Sequence, residues 1–160
     1  GLTMGMQPIV GYNFGAQKID RVKQTLKLGI VSGVVITSSG FFICELFPHA
    51  VSAIFTDSDH LIDLAVDGLR ITVIMFPFVG AQIVIGNFFQ SIGKAKISIF
   101  LSLTRQLLYL LPCLLLFPNW WGLKGIWISM PVSDALAFIT AVISLIIYIK
   151  KVSKQHPIAE

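Results

Sequence analysis

The chain has 160 residues, 55% of them hydrophobic and 12% charged, with a net charge of +4. An ordinary soluble domain carries about 25% charged residues, so this balance excludes a water-soluble globule and predicts a membrane protein. The lysines and arginines are dispersed along the chain and have no interleaved aromatic residues, which excludes a nucleic-acid-binding face.

The opening "GLTMGMQPIVGYNFGAQ" has neither an initiating methionine nor a basic leader, and the chain is expected to be a segment of a longer polypeptide. Within it, "GYNFG" (Gly11 to Gly15) has the small-xxx-small spacing. With Tyr12, Asn13 and Phe14 between the glycines, however, it reads as a helix end or loop and not as a dimer face. A basic stretch with Lys18, Arg21, Lys23 and Lys27 completes residues 1–27. The first apolar run follows it without a small-residue cleavage site, so it is no signal peptide.

Residues 28–55 are predicted to form a transmembrane helix broken only by Glu45 and His49, with Pro48 toward its outer end. Gly29, Gly33 and Gly40 share one of its faces with Thr37, a pattern that lets a second backbone approach closely. Glu45 reads as a solvated residue near the outer interface. The stretch Thr56 to Arg70, with Asp57, Asp59, Asp63 and Asp67, reads as an acidic loop.

Residues 71–93 carry no charge at all and would span about 34 Å as a helix, enough to cross a hydrocarbon core of about 30 Å. Gln82, Gly86, Gln90 and Gly93 fall on one face, with Asn87 at its edge. Amides in a bilayer need partners, so Gln82, Asn87 and Gln90 either bond to neighbouring helices or line a water-filled cavity.

After Lys94 and Lys96, residues 97–118 form a third predicted span, broken only by Arg105. The connection to the fourth span carries Trp120, Trp121 and Lys124. Residues 125–149 form that span, broken only by Asp134, and residues 150–160 are a tail with Lys150, Lys151 and Lys154. Asp134 either bonds within the kink made by Pro131 or faces a central cavity as a cation-attracting group.

The basic connections alternate along the chain and so lie on one side of the membrane. By the positive-inside rule that side is the cytoplasm, with both ends of the chain on it and the tryptophan pair at the outer interface of a plasma (inner) membrane. At about 1.5 Å per residue from the cytoplasmic ends, Arg105 sits about 12 Å up and Asp134 about 22 Å up. The gap of about 10 Å, and the lean of helical side chains toward their own N-terminus, predict that Arg105 snorkels to the inner headgroups or bonds to carbonyls. It is thus read as an anchoring charge and not as the partner of Asp134.

Pro77, Pro112 and Pro131 lie inside three of the spans, where each removes a backbone hydrogen bond and bends its helix. Repeated kinks suit a protein that opens alternately to two sides. No H-E-x-x-H, G-x-S-x-G or Walker loop is present, and His49, His60 and His156 are scattered; no catalytic residue, metal site or enzyme activity is expected. Cys44 and Cys113 fall in apolar spans and read as small hydrophobes.

Three stretches together resemble the multidrug and toxic compound extrusion family: "QPIVGYNFGAQ" (Gln7 to Gln17), "NFFQSIGKAKISIFLSLTRQLLYLLP" (Asn87 to Pro112) and "GLKGIWISMPVSD" (Gly122 to Asp134). The resemblance implies an all-α integral membrane protein of two six-helix lobes. This chain would supply the end of the eighth helix and the ninth to twelfth, four transmembrane helices forming most of one lobe of a twelve-helix antiporter. It further implies export of small organic, often cationic and amphipathic, substrates in exchange for a coupling cation, a sodium ion or a proton, with no other cofactor. The missing N-terminal lobe and the lipid bilayer would be its partners.

One departure bears on coupling. The sodium-coupled branch of the family has a carboxylate on its tenth helix, and Ile71 to Gly93 has none. Coupling through a first-lobe carboxylate, outside this chain, is the expectation that follows. A lipid-linked oligosaccharide flippase of the same superfamily and a non-transporting membrane scaffold are the alternatives; the first calls for a more basic cavity, and the second has little use for three kinked spans.

Overall fold

The computed structural model describes residues 1–155, with side-chain environments through Val152. The side chain of Lys154 and the rest of the predicted tail, including His156, lie outside the described residues. Helix α1 (Leu2–Gly15) leads into α2 (Ile19–Leu46), the short α3 (Pro48–Ala53) and α4 (Asp59–Thr72). A 3-10 turn (Val73–Met75) joins α4 to α5 (Phe76–Ser91), and α6 (Ala95–Leu103) runs through a π-helical segment (Thr104–Leu110) into α7 (Leu111–Trp121); α8 (Leu123–Gln155) closes the chain. The described residues are all helical or connecting, and four stretches are long and apolar enough to cross a membrane: Ile19–Leu46, Asp59–Ser91, Ala95–Trp121 and Leu123–Val152.

Local chemistry explains the breaks. Phe47 (φ −127, ψ 47) leaves the helical region because the Pro48 ring restricts the residue before it, so the first long helix stops at Leu46 and does not continue to residue 55. Its start is also earlier than predicted: Arg21, Lys23 and Lys27 sit on α2 and not in a loop. The acidic stretch read as a loop is helix from Asp59 onward. Asp59, Asp63 and Asp67 recur every four residues and leave Val66 and Gly68 to be buried, so α4 extends the second span.

Pro77 and Pro112 each stand in the first turn after a change of helix type, the 3-10 turn and the π segment respectively. A proline ring clashes with the carbonyl four residues back, here Val73 and Leu108, and the ladder is regrouped at those places. Pro131 lies inside an unbroken α8. At the end of α5, Gly93 (φ +74) takes the left-handed conformation that lets the Lys94 N–H donate to the Phe89 carbonyl at 2.8 Å.

The tightest packing is between α2 and α5. A Cβ built on Gly33 would lie 3.1 Å from the Gly80 carbonyl oxygen, and one on Gly80 would lie 2.5 Å from that of Gly33 and against the Thr37 hydroxyl. Gly29 likewise abuts Met6 and Val84, whereas Gly40, expected on the same packed face, meets open space. The core gathers Met6, Val10, Leu26, Val84, Ile85, Phe88, Phe89, Leu101 and Ala141, nearer the end of the bundle where α1 finishes and α6 begins.

Outside that core the helices present large apolar side chains outward, among them Ile36, Phe42, Ile99, Leu107, Leu115 and Ile147. Such a surface has no stable hydration and fits lipid as its solvent.

Candidate functional site: a polar seam between the third and fourth spans

Four polar residues of the third and fourth spans, Arg105, Tyr109, Asp134 and Thr140, meet on the seam between the π segment and α8. Arg105 donates from Nε and from Nη2 to the same oxygen of Asp134, Oδ1, at 2.9 and 2.8 Å. The Asp134 side chain is 9% exposed and that of Arg105 35% exposed, so the carboxylate is the buried member and the guanidinium reaches in to it. Four residues on, Tyr109 meets Thr140 at 2.8 Å, hydroxyl to hydroxyl. Thr140 already donates its proton to the Leu136 carbonyl at 2.9 Å, so Tyr109 is the donor between them.

This overturns the expectation that Arg105 snorkels away from Asp134. An axial offset of about 10 Å assumes two α-helices with a uniform rise and the usual lean, and the third span does not meet that condition. Arg105 is carried on a π segment, whose wider turn re-aims its side chain toward α8. An ion pair also relieves the cost of leaving either charge alone at that depth.

The amides expected on a common face are not gathered into the seam. Gln82 is buried, and its Oε1 has no hydrogen-bond partner among the described residues. It lies on the face of α5 that packs against α8, bracketed by Phe78 on Phe138 (ring centroids 5.2 Å apart) and Phe89 on Tyr148 (5.5 Å). Asn87 donates back to the Ile83 carbonyl of its own helix at 2.9 Å, Gly86 faces open space, and Gln90 is exposed. Glu45 is 40% exposed and 3.9 Å from the still more open Arg70, a pair of little energetic weight.

Two contributors were not singled out from the sequence. Tyr109 and Thr140 tie the same two elements together, and the signal for Tyr109 was its spacing of four from Arg105 within an apolar span. Gly68 receives the indole of Trp127: a Cβ there would lie 2.7 Å from Cε2, which docks the acidic helix α4 onto α8. No cluster of His, Cys, Asp and Glu suited to a metal ion occurs among the described residues.

The sequence profile of the MatE family matches residues 1–115. The chain belongs to the MatE family. Among curated MatE relatives, Multidrug export protein MepA of Staphylococcus haemolyticus is 25% identical over 85% of this chain and 30% of its own length; MepA of Staphylococcus aureus (strain MW2) is 25% identical over 93% and 32%. The structure of the MATE multidrug transporter DinF-BH superposes with a TM-score of 0.85 at 39% identity, covering 91% of this chain and 32% of that one. Inward-facing and outward-facing structures of a multidrug resistance MATE family transporter each superpose at 0.88, at 19% identity, which shows the shared fold. The chain thus spans about a third of the length of the relatives it matches, and its four long apolar helices make it a multi-pass membrane protein of the MatE family.

Proposed function

We propose that this chain supplies most of the second lobe of a secondary active transporter that exports small organic, often cationic and amphipathic, compounds by antiport with sodium ions or protons. The observation that carries the reading is the 39% identity to a solved MATE multidrug transporter, sustained over 91% of the chain. The equal likeness to an inward-facing and an outward-facing form supports a lobe that moves as a body while the cavity changes sides. In this reading the basic end of the bundle is cytoplasmic, and Trp120 and Trp121 anchor the outer interface.

Within the lobe, the Arg105–Asp134 pair is the clamp that holds the third span to the fourth. With its charge balanced by the guanidinium, Asp134 is a poor site for a coupling cation. That role is assigned to a carboxylate of the other lobe: the acidic residues of the second span, Asp59, Asp63 and Asp67, are all exposed on α4, and α5 has none. In this reading the exposed Gln90, with Asn87 beside it at the cytoplasmic end of α5, faces a cavity shared with that lobe, whereas Gln82 is buried in the bundle. The matched relatives and structures are multidrug exporters, and they favour export over the flippase and scaffold alternatives.

The test is reconstitution of the full-length protein in liposomes with ethidium, a fluorescent organic cation, as the probe, imposing a proton gradient or a sodium gradient in separate preparations. Ethidium movement against its concentration under one of the two gradients is expected. Movement with neither, from a protein that is folded and oriented, would refute the reading.

A further inference from the structure

At the basic end of the bundle, the ends of α1, α5 and α8 and the start of α6 enclose an open groove of about 800 Å³. Its polar rim carries Lys94 and Lys151, both exposed and neither with a carboxylate partner among the described residues. No acidic side chain lines it among the described residues. Below the rim the wall is apolar, built from Ile97, Phe100, Ile147 and Tyr148, and two of these face outward: Phe100 is 54% and Ile147 63% exposed.

We infer that this groove binds one anionic phospholipid of the cytoplasmic leaflet, its phosphate between the two lysines and an acyl chain along Phe100 and Ile147. The inference rests on the orientation proposed above and is independent of transport. A cationic cargo would be repelled by two ammonium groups. A free phosphate would leave the apolar wall unused. A phospholipid satisfies both parts of the groove at once, with its headgroup at the depth where lysines meet the membrane surface and its tail where the helices already face lipid. Lys18, Lys96 and Lys150 stand close by in sequence against a single acid, Asp20, so the local field stays positive.

The experiment is native mass spectrometry of the full-length protein, delipidated and then equilibrated with equal amounts of phosphatidylglycerol and phosphatidylcholine. The wild type should keep one phosphatidylglycerol in preference to phosphatidylcholine, and K94Q/K151Q should hold it about 30-fold more weakly, the loss expected for removing two lysines from a charged surface. K94R/K151R should keep it, which separates loss of charge from loss of fold. Equal retention by wild type and K94Q/K151Q would overturn the assignment. Displacement of the lipid by millimolar inorganic phosphate would reduce the site to a free-anion site. A wild type that keeps no anionic lipid would overturn it as well.

Discussion

Arg105 and Asp134 are joined through a single oxygen: Nε and Nη2 of the arginine both donate to Oδ1 of the aspartate, at 2.9 and 2.8 Å, across the seam between the π segment and α8. Removing one partner of a buried pair commonly costs about 3–5 kcal/mol, because the survivor keeps its desolvation penalty without compensation. The guanidinium is about a third exposed here, so the loss is discounted. Arg105→Gln, which strands the more buried carboxylate, is expected to destabilise the full-length protein by about 2 kcal/mol, and Asp134→Asn by less. Thermal unfolding in detergent checks the order; an Arg105→Gln protein as stable as wild type would remove the clamp.

The second tie across the same seam is weaker. Tyr109→Phe removes one hydroxyl bond, and interhelical hydrogen bonds in membranes average about 0.6 kcal/mol. The same unfolding assay should therefore separate Tyr109→Phe clearly from Arg105→Gln. Equal losses would mean that the seam fails as a unit.

Close backbone approach makes Gly80 intolerant of a side chain, while Gly40 on the opposing helix has room. A Cβ on Gly80 meets the Gly33 carbonyl, which cannot swing aside, so Gly80→Ala should cost about 1–3 kcal/mol as overpacking does. Gly40→Ala should be neutral or slightly stabilising, since alanine is the better helix former. Expression and melting temperature of the two variants give the comparison, and similar behaviour would contradict the α2–α5 packing described.

Gly68 and Trp127 form a pair of the same kind in which the obstacle is a side chain. Gly68→Ala is expected to be destabilising alone, and Trp127→Leu in the same protein should recover part of the loss by vacating the indole's place. A double-mutant cycle with no coupling would show that α4 does not dock on α8 through this contact.

The four spans were legible because charge is so sparse that its position marks their ends, and the packed glycines Gly29 and Gly33 because small residues on one face have few other uses. What escaped is what hydropathy averages away. Asp59, Asp63 and Asp67 disguised α4 as a loop, although their spacing of four is itself a helical face. The helix stop at Phe47 was implied by Pro48 but outweighed by the apolar run around it.

The direction of Arg105 could not be read from the sequence. The π segment that aims it depends on Pro112 further along and on a carboxylate 29 residues away, and a uniform rise per residue contains neither. Gln82 is the converse: its apolar bracketing by Phe78 and Phe89 was visible, yet its helical face alone does not say whether cargo or protein lies opposite.

The most direct test of the claim that Asp134 clamps the lobe and does not bind the coupling cation is gradient-driven ethidium transport by the charge-exchanged protein. Full-length R105D/D134R keeps an ion pair across the seam but moves the carboxylate to the other helix. It is expected to transport in proteoliposomes at a substantial fraction of the wild-type rate, and better than Arg105→Gln. A charge-exchanged protein that folds with wild-type stability and transports nothing would contradict the clamp and assign Asp134 a direct part in moving cation or cargo.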